Sequence, residues 1–207
     1  LWDVADPATP DPLGAPLTPT GQLVEQLAIS PDGTRLAASG DDNAVRLWDV
    51  PDPAAPRPQA TLTGATSYVF ASSFSPDGTL LAAASADANT YLWDVRDAAA
   101  PRLVATLDGP ESFAYSAVFT PDGRTLAVGS ADRSVRLWDV SDPERPVALG
   151  EPLTGPANYV YSVAFSPDAG TLAAASTDGT VWTWDVRDLR APEVSAVLTG
   201  PADAVFS

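Results

Sequence analysis

The side chains that could do chemistry in this sequence are nearly all carboxylates. Of its 27 acidic residues 22 are Asp, and the chain contains neither His nor Cys. Paired carboxylates can act as acid and base in glycoside hydrolysis, and clusters of carboxylates can bind divalent cations. The lack of His and Cys excludes thiolate catalysis and Cys-ligated metal sites, and it removes the commonest general base. Carboxylate chemistry is therefore the catalytic option to weigh.

The Asp residues recur in register, which favours turns over a reaction centre. Eighteen of them fall into four columns that repeat every 45 or 46 residues. One column is the Asp of a Trp-Asp pair, and two more lie six residues before and four residues after the Trp of that pair. The fourth column is the Asp of a Pro-Asp pair. The Trp-Asp pairs begin at Trp2, Trp48, Trp93, Trp138 and Trp184. Because each repeat forms its own structural unit, these carboxylates are spread over separate units, and a metal or catalytic role is disfavoured.

The charge of the chain restricts its partners. All 11 basic residues are Arg and the formal net charge is −16. Binding of nucleic acid or of an anionic membrane through a basic face is therefore disfavoured, and no apolar run reaches the length of a spanning helix. Two interpretations of the acidity stay open: turn chemistry multiplied by the number of repeats, or selection for a cationic partner.

Each repeat has the pattern of four short strands joined by turns. In the copy at 110–155, strands a, b, c and d are expected at 112–119, 125–130, 134–140 and 146–154. A Thr-Pro-Asp-Gly turn separates strands a and b, because Pro fixes φ and Asp and Gly favour the next positions. Turn signals at this spacing leave no helical pattern, so the fold class is all-β. A sheet of this size cannot bury both faces alone and must stack against its neighbours.

The motifs Leu-Trp-Asp-Val, Phe-Ser-Pro-Asp-Gly and Ser-x-Asp-x-x-Val-x-Leu-Trp-Asp resemble those of the WD-repeat β-propellers, in particular bacterial repeats of the actinobacterial style. The resemblance implies a β-propeller of four-stranded antiparallel blades. About 4.6 repeats are present, whereas the family usually closes its ring with seven. The chain begins inside a repeat at Leu1 and has no Met, so we expect a single incomplete propeller cut from a larger one. The implied divisions are strands c and d of a first blade at 1–19, copies at 20–64, 65–109, 110–155 and 156–200, and the start of a further blade at 201–207.

The sequence departs from the family at one column. The family has a His near the start of each repeat, and this His joins the Asp of the b–c turn in a buried hydrogen-bonded relay. Here the column reads Thr20, Ala65, Pro110, Pro156 and Pro201. The b–c turn Asp residues must therefore find backbone N–H groups or water, since an unpaired buried carboxylate is costly; they are Asp42, Asp87, Asp132 and Asp178. The Trp of strand c is expected to fill space between blades, and an extra residue, Trp182, is expected to be partly exposed.

The resemblance also implies where a partner binds, namely the face that carries the d–a loops and b–c turns, near the start of strand a. Two columns lie there. The first reads Leu23, Tyr68, Phe113 and Tyr159, and the second reads Glu25, Phe70, Tyr115, Tyr161 and Phe206. Residues two apart share a face of a strand, so most copies offer an aromatic pair, a side-chain type favoured at interfaces. The alternative is that the rings pack between blades or line a narrow channel, and burial of more than nine-tenths of each ring would exclude partner contact.

The sequence thus favours a non-enzymatic scaffold for protein–protein interaction, within a larger bacterial signalling or regulatory protein in the cytoplasm. No catalytic residue, cofactor or metal is expected, and the partner is a protein or peptide. A second interpretation is a propeller that senses a ligand or peptide at an aromatic rim. An enzymatic function is disfavoured, and only paired carboxylates in a central cleft would support one, of the glycosidase type. Unpaired strands at the blade edges could also support self-association.

Overall fold

A computed structural model describes residues 1–18, 23–200 and 203–206 of the chain. Over these residues the chain forms strands and no helix, arranged as one two-stranded sheet and four four-stranded antiparallel sheets. We call the four-stranded sheets blades 1 to 4. Within each blade the strands pair in sequence order, and the first strands of neighbouring blades contact one another. The ring of blades is not closed, so the fold is all-β and corresponds to a partial propeller.

The strands of each sheet have the following bounds. The two-stranded sheet contains β1 (Trp2–Asp3) and β2 (Asp11–Pro12). Blade 1 contains β3 (Val24–Ile29), β4 (Arg35–Gly40), β5 (Val45–Asp49) and β6 (Arg57–Leu62). Blade 2 contains β7 (Val69–Phe74), β8 (Leu80–Ser85), β9 (Asn89–Asp94) and β10 (Arg102–Asp108). Blade 3 contains β11 (Ala114–Phe119), β12 (Thr125–Ser130), β13 (Val135–Asp139) and β14 (Val147–Ala148). Blade 4 contains β15 (Val160–Phe165), β16 (Thr171–Ser176), β17 (Thr180–Asp185) and β18 (Glu193–Thr199).

The Pro-Asp turn between strands a and b forms as its sequence predicts. In blade 1 the N–H of Gly33 donates to the carbonyl of Ser30 at 2.8 Å, and the Asp32 carboxylate accepts from the Ser30 hydroxyl at 2.6 Å and from the N–H of Thr34 at 3.0 Å. Gly33 has a φ of +71°, the left-handed region that Gly enters at no steric cost. In blade 4 the same place is taken by Ala169, at +57°.

Strand d of blade 3 is shorter than the sequence pattern predicts. Instead of continuous pairing over 146–154, β14 has two residues, and pairing resumes only at an isolated bridge between Leu153 and Val135. Between them Gly150 adopts a φ of +68°, and Pro152 has no N–H to offer. The same Leu-Gly-x-Pro-Leu-Thr pattern follows β2, where Gly14 has a φ of +88°. A left-handed glycine therefore interrupts the outer strand wherever this pattern occurs.

The core lies between blades, and the Trp of strand c is part of it. Trp93 of blade 2 packs with Leu47 and Leu62 of blade 1, and Trp184 of blade 4 packs in a cluster that blade 3 also supplies. Trp48, Trp93 and Trp184 are buried, whereas Trp138 is half-buried against the cluster between blades 2 and 3. This confirms the packing between blades expected for Trp93, Trp138 and Trp184, whereas Trp48 packs against Leu17 on the side of blade 1 away from blade 2. The extra Trp182 is half-buried, as expected.

Candidate partner-binding surface

The two columns predicted to contact a partner lie at the start of the first strands of the blades: the first column comes one residue before each strand, and the second occupies the second residue of each strand. These strands are β3, β7, β11 and β15, and they contact one another in that order, β3 with β7, β7 with β11 and β11 with β15. Because the repeats place the same positions side by side, a column in the sequence becomes a row of neighbouring side chains in the structure. We call Phe70, Tyr115, Tyr161 and Phe206 the aromatic ladder, and Tyr68, Phe113 and Tyr159 the outer row.

A β-bulge in every blade fixes the position of the ladder. Between strands a and b the register skips one residue; in blade 2, for example, Val69 pairs with Ser85 and Ala71 pairs with Ala84, so that Phe70 is passed over. The same shift passes over Glu25, Tyr115 and Tyr161 in the other blades. Because bulges re-aim a side chain out of the regular alternation, all four side chains are displaced in the same way.

The ladder rings touch one another across blade boundaries. Ring centroids are 4.9 Å apart for Phe70 and Tyr115, 5.0 Å for Tyr115 and Tyr161, and 5.1 Å for Tyr161 and Phe206. The first two pairs are tilted and the third is edge-on, which are favourable arrangements for aromatic rings. The result is a continuous aromatic strip that crosses three blades and reaches Phe206.

The ladder lines a shallow groove that ends at a carboxylate. The groove has a volume of about 190 Å³. Its described lining residues are the ladder together with Glu25, Gln26, Ala71, Ser116 and Ser162. Glu25, the exposed counterpart of the aromatic residues in blade 1, is the only ionised group among them. The paired carboxylates that would support a glycosidase mechanism are therefore not found among the described residues of this groove.

The aromatic side chains remain open to solvent. Residues of the outer row are 44 to 49% exposed, and Leu23 at the end of the same column is 59% exposed. Phe206 is 55% and Tyr161 37% exposed, while Phe70 and Tyr115 are half-buried. The rings therefore do not disappear between blades, and contact with a partner stays a prediction that the structure permits.

The environment of Tyr115 keeps its hydroxyl protonated. Burial raises the pKa of this phenol, and the neighbouring Tyr159 and Tyr161 raise it further. The Tyr115 ring therefore stays uncharged across the physiological range.

The b–c turn carboxylates brace the loops beside this surface. The Asp87 carboxylate accepts from the N–H of Thr66 at 2.7 Å and from the Tyr91 hydroxyl at 2.8 Å. Burial raises the pKa of Asp87, but these hydrogen bonds outweigh it, so the pKa lies below its ordinary value. Asp132 and Asp178 accept likewise from backbone N–H groups of their d–a loops. The expectation that backbone donors replace the missing His is thereby confirmed for blades 2 to 4; Thr20 and Pro201 of the His column lie outside the described residues.

A second partner for these carboxylates was not predicted. In three blades the b–c turn Asp also contacts the residue that lies two positions before the Trp of strand c. Arg46 forms an ion pair with Asp42 and Arg136 forms one with Asp132. In blade 2 the Tyr91 hydroxyl donates a hydrogen bond to Asp87. In blade 4 Trp182 instead donates its Nε1–H to Thr180 at 3.0 Å. A signal was available in the sequence, since Arg or Tyr recurs at this place beside an Asp four residues earlier.

Three other features of the structure bear on function. Within residues 1–18, 23–200 and 203–206, no three His, Cys, Asp or Glu side chains are grouped so as to hold a metal ion. The described chain likewise has no helix of the length and apolarity needed to cross a bilayer. A cavity of about 460 Å³ lies on the side of blade 1 away from blade 2, where Leu27, Ile29 and Trp48 face Leu1 and Leu17.

Comparison with known proteins gives one family. A family model described as "WD domain, G-beta repeat" matches more than half of the chain, at residues 17–49, 56–94, 101–139 and 149–185. Each match ends at or just after the Trp-Asp pair of one blade, in agreement with the repeat found in the sequence. No curated protein matches the chain.

Proposed function

Because the chain belongs to the WD-repeat family, whose propellers serve in general as protein-interaction scaffolds, we propose that it binds a protein or peptide partner through the aromatic ladder and the outer row. It does so without catalysing a reaction, as a segment of a bacterial signalling or regulatory scaffold. The observation that carries this proposal is the row of exposed rings at the start of the first strands of successive blades. Tyr and Phe supply large contact areas at low entropic cost, which is why such rings are frequent at the centre of interfaces.

Repetition of the blades supports binding of an extended partner. The ladder and the outer row run in parallel across blades 2, 3 and 4, and Phe113 contacts Tyr115 edge-on at 6.2 Å. A segment lying across the first strands would therefore meet two lines of rings. The groove is too shallow to enclose a compact ligand, since such sites usually measure several hundred Å³. This favours a partner surface or a linear peptide over a small molecule.

Peptide display provides the test. Random linear peptides are selected on the 207-residue chain, and binding of the enriched peptides is compared with that of a variant carrying Tyr68→Ser, Phe113→Ser and Tyr159→Ser. These side chains are exposed, so the substitutions leave the core intact. We expect affinity to fall by at least about tenfold, or about 1.4 kcal/mol.

The matched control replaces three apolar side chains of similar exposure on β18, with Val194→Ser, Val197→Ser and Leu198→Ser. Peptides that need the outer row and ignore the control substitutions support the proposal. Peptides that bind both variants equally well, or a selection that enriches nothing, overturn it.

A further inference from the structure

The acidity of the chain bears on the partner's chemistry. The groove beside the ladder has Glu25 as its only ionised lining group among the residues described, with no cationic side chain to neutralise it. Further carboxylates border the same edge of the blades, in the b–c turns and d–a loops: Asp87, Glu111, Asp132, Asp178 and Asp203. Of the Arg residues there, Arg46 and Arg136 are ion-paired with turn carboxylates, and Arg133 adds one exposed cation.

We propose that this surface recognises an arginine side chain in an extended, basic segment of the partner, with the guanidinium stacked on Phe70 and Tyr115 and paired with the Glu25 carboxylate. The inference rests on the proposed function and specifies the partner's chemistry. It also gives the acidity a role beyond that of turns.

The rings at the Glu25 end of the ladder are suited to a planar cation. Phe70 and Tyr115 are half-buried, so part of their hydration is already removed, yet both line the open groove. A guanidinium over an aromatic face is attracted by the ring quadrupole, more strongly as water is excluded. Arg also stacks flat on rings and pairs with a carboxylate through two N–H groups, which an ammonium cannot do.

The Glu25 carboxylate determines at which end of the ladder the guanidinium binds. Glu25 occupies in blade 1 the bulge position that Phe70 occupies in blade 2, and the first strands of these blades are in contact. A guanidinium lying across this boundary therefore has a ring on one side and a carboxylate on the other. A partner without positive charge would gain the ring contact alone and would bring no counter-charge to the Glu25 carboxylate.

The experiment uses a capped Ser-Gly-Arg-Gly-Arg-Gly-Ser peptide and the same peptide with citrulline in place of both arginines. Citrulline keeps the shape and loses the charge. Binding to the 207-residue chain is followed by NMR chemical-shift titration, which detects weak affinities. We expect the arginine peptide to bind at least about fivefold more tightly, and less tightly as salt is raised.

Three variants locate the contact. Glu25→Gln should weaken binding of the arginine peptide about two- to fivefold while leaving the citrulline peptide unchanged, and Phe70→Leu should weaken the arginine peptide by a similar factor and the citrulline peptide by less. Glu193→Gln removes another exposed carboxylate, on β18, and should change the affinity of neither peptide. Equal affinity for the two peptides, undetectable binding of the arginine peptide, or an arginine preference that survives both substitutions overturns the inference.

The two proposals fail separately. If display selects neutral peptides that need the outer row, the proposed function stands and the arginine inference is wrong. If no selected peptide depends on the outer row, the proposed function itself is wrong.

Discussion

The carboxylate of Asp87 accepts a 2.7 Å hydrogen bond from the backbone N–H of Thr66, which precedes it by 21 residues. This bond ties the turn between β8 and β9 to the loop between β6 and β7. In blades 3 and 4 the N–H groups of Glu111 and Ala157 take the place of that of Thr66. Each of these residues directly follows a Pro, which stands where the family has His. A main-chain donor thus replaces an imidazole, and it is available with any residue type except Pro at that position.

Removing the Asp87 carboxylate should therefore destabilise blade 2. In Asp87→Ala the N–H of the exposed Thr66 and the hydroxyl of the buried Tyr91 lose their acceptor, and a buried group left in this way costs about 1–3 kcal/mol. Urea denaturation followed by Trp fluorescence should show a loss of this size. The control is Asp97→Ala, because Asp97 is exposed and accepts only a local bond from the N–H of Ala99. Equal losses in the two variants would contradict a bracing role for Asp87.

The sequence predicted the strand order of a blade because the signals for turns are local. Pro31, Asp32 and Gly33 fix one turn by their own φ preferences and hydrogen bonds, and the strands lie between such turns. The space-filling role of Trp93 was equally predictable, since a sheet flanked by neighbours must bury its large side chains. Both features can be predicted because they depend only on the sequence of a single repeat and on the presence of neighbouring repeats.

The ladder could be predicted only in part. The sequence places Tyr115 and Tyr161 in one column, but the bulge that displaces both, and the 5.0 Å between their rings, depend on how closely two blades approach. The interruption after β14 was missed for a different reason. The position of Gly150 in the repeat predicts a strand, but its φ of +68° lies in the left-handed region and interrupts the pairing.

Replacing Ala169 by Gly should stabilise the chain. Ala169 takes a φ of +57° in a turn where the other three blades have Gly, and this conformation costs an L-residue about 1–2 kcal/mol. We expect a gain of about 1 kcal/mol in the free energy of unfolding, part of the benefit being offset by the freer unfolded chain. The reverse change, Gly33→Ala, should cost a similar amount, because a Cβ there meets no atom within 4 Å and only the backbone term acts. Thermal denaturation checks the prediction: the melting temperature should rise for Ala169→Gly and fall for Gly33→Ala.

Acid should weaken the chain through the same turns. Hydrogen bonds from the Ser30 hydroxyl and the N–H of Thr34 lower the pKa of Asp32 from 3.8 to about 2. A group whose pKa is depressed by folding stabilises the folded state above its unfolded pKa, and this contribution is lost as pH falls through the folded value. The difference in unfolding free energy between the natural chain and Asp32→Asn should be constant above about pH 5 and should shrink between about pH 4 and pH 2. A difference that stays constant down to pH 2 would show that the carboxylate charge does not matter there.

Arg35 should couple blade 1 to blade 2 more strongly than any exposed arginine. Its guanidinium donates to the carbonyls of Val95 at 2.7 Å and Gly78 at 2.6 Å, and lies 5.3 Å from the ring centroid of Phe74, all in blade 2 or its turns. Arg35→Met keeps the apolar stem but removes both donors, and hydrogen bonds to charged groups contribute about 1.5–3 kcal/mol each before solvent exposure reduces them. In a repeat array such a loss acts on the interface between neighbours.

Hydrogen exchange in Arg35→Met should therefore accelerate in β4, β5 and β8 and stay unchanged in blade 4. The control, Arg57→Met at an exposed position of β6, should leave hydrogen exchange unchanged in all of these elements. Uniform acceleration along the chain would mean that the blades unfold together and that Arg35 has no local coupling role.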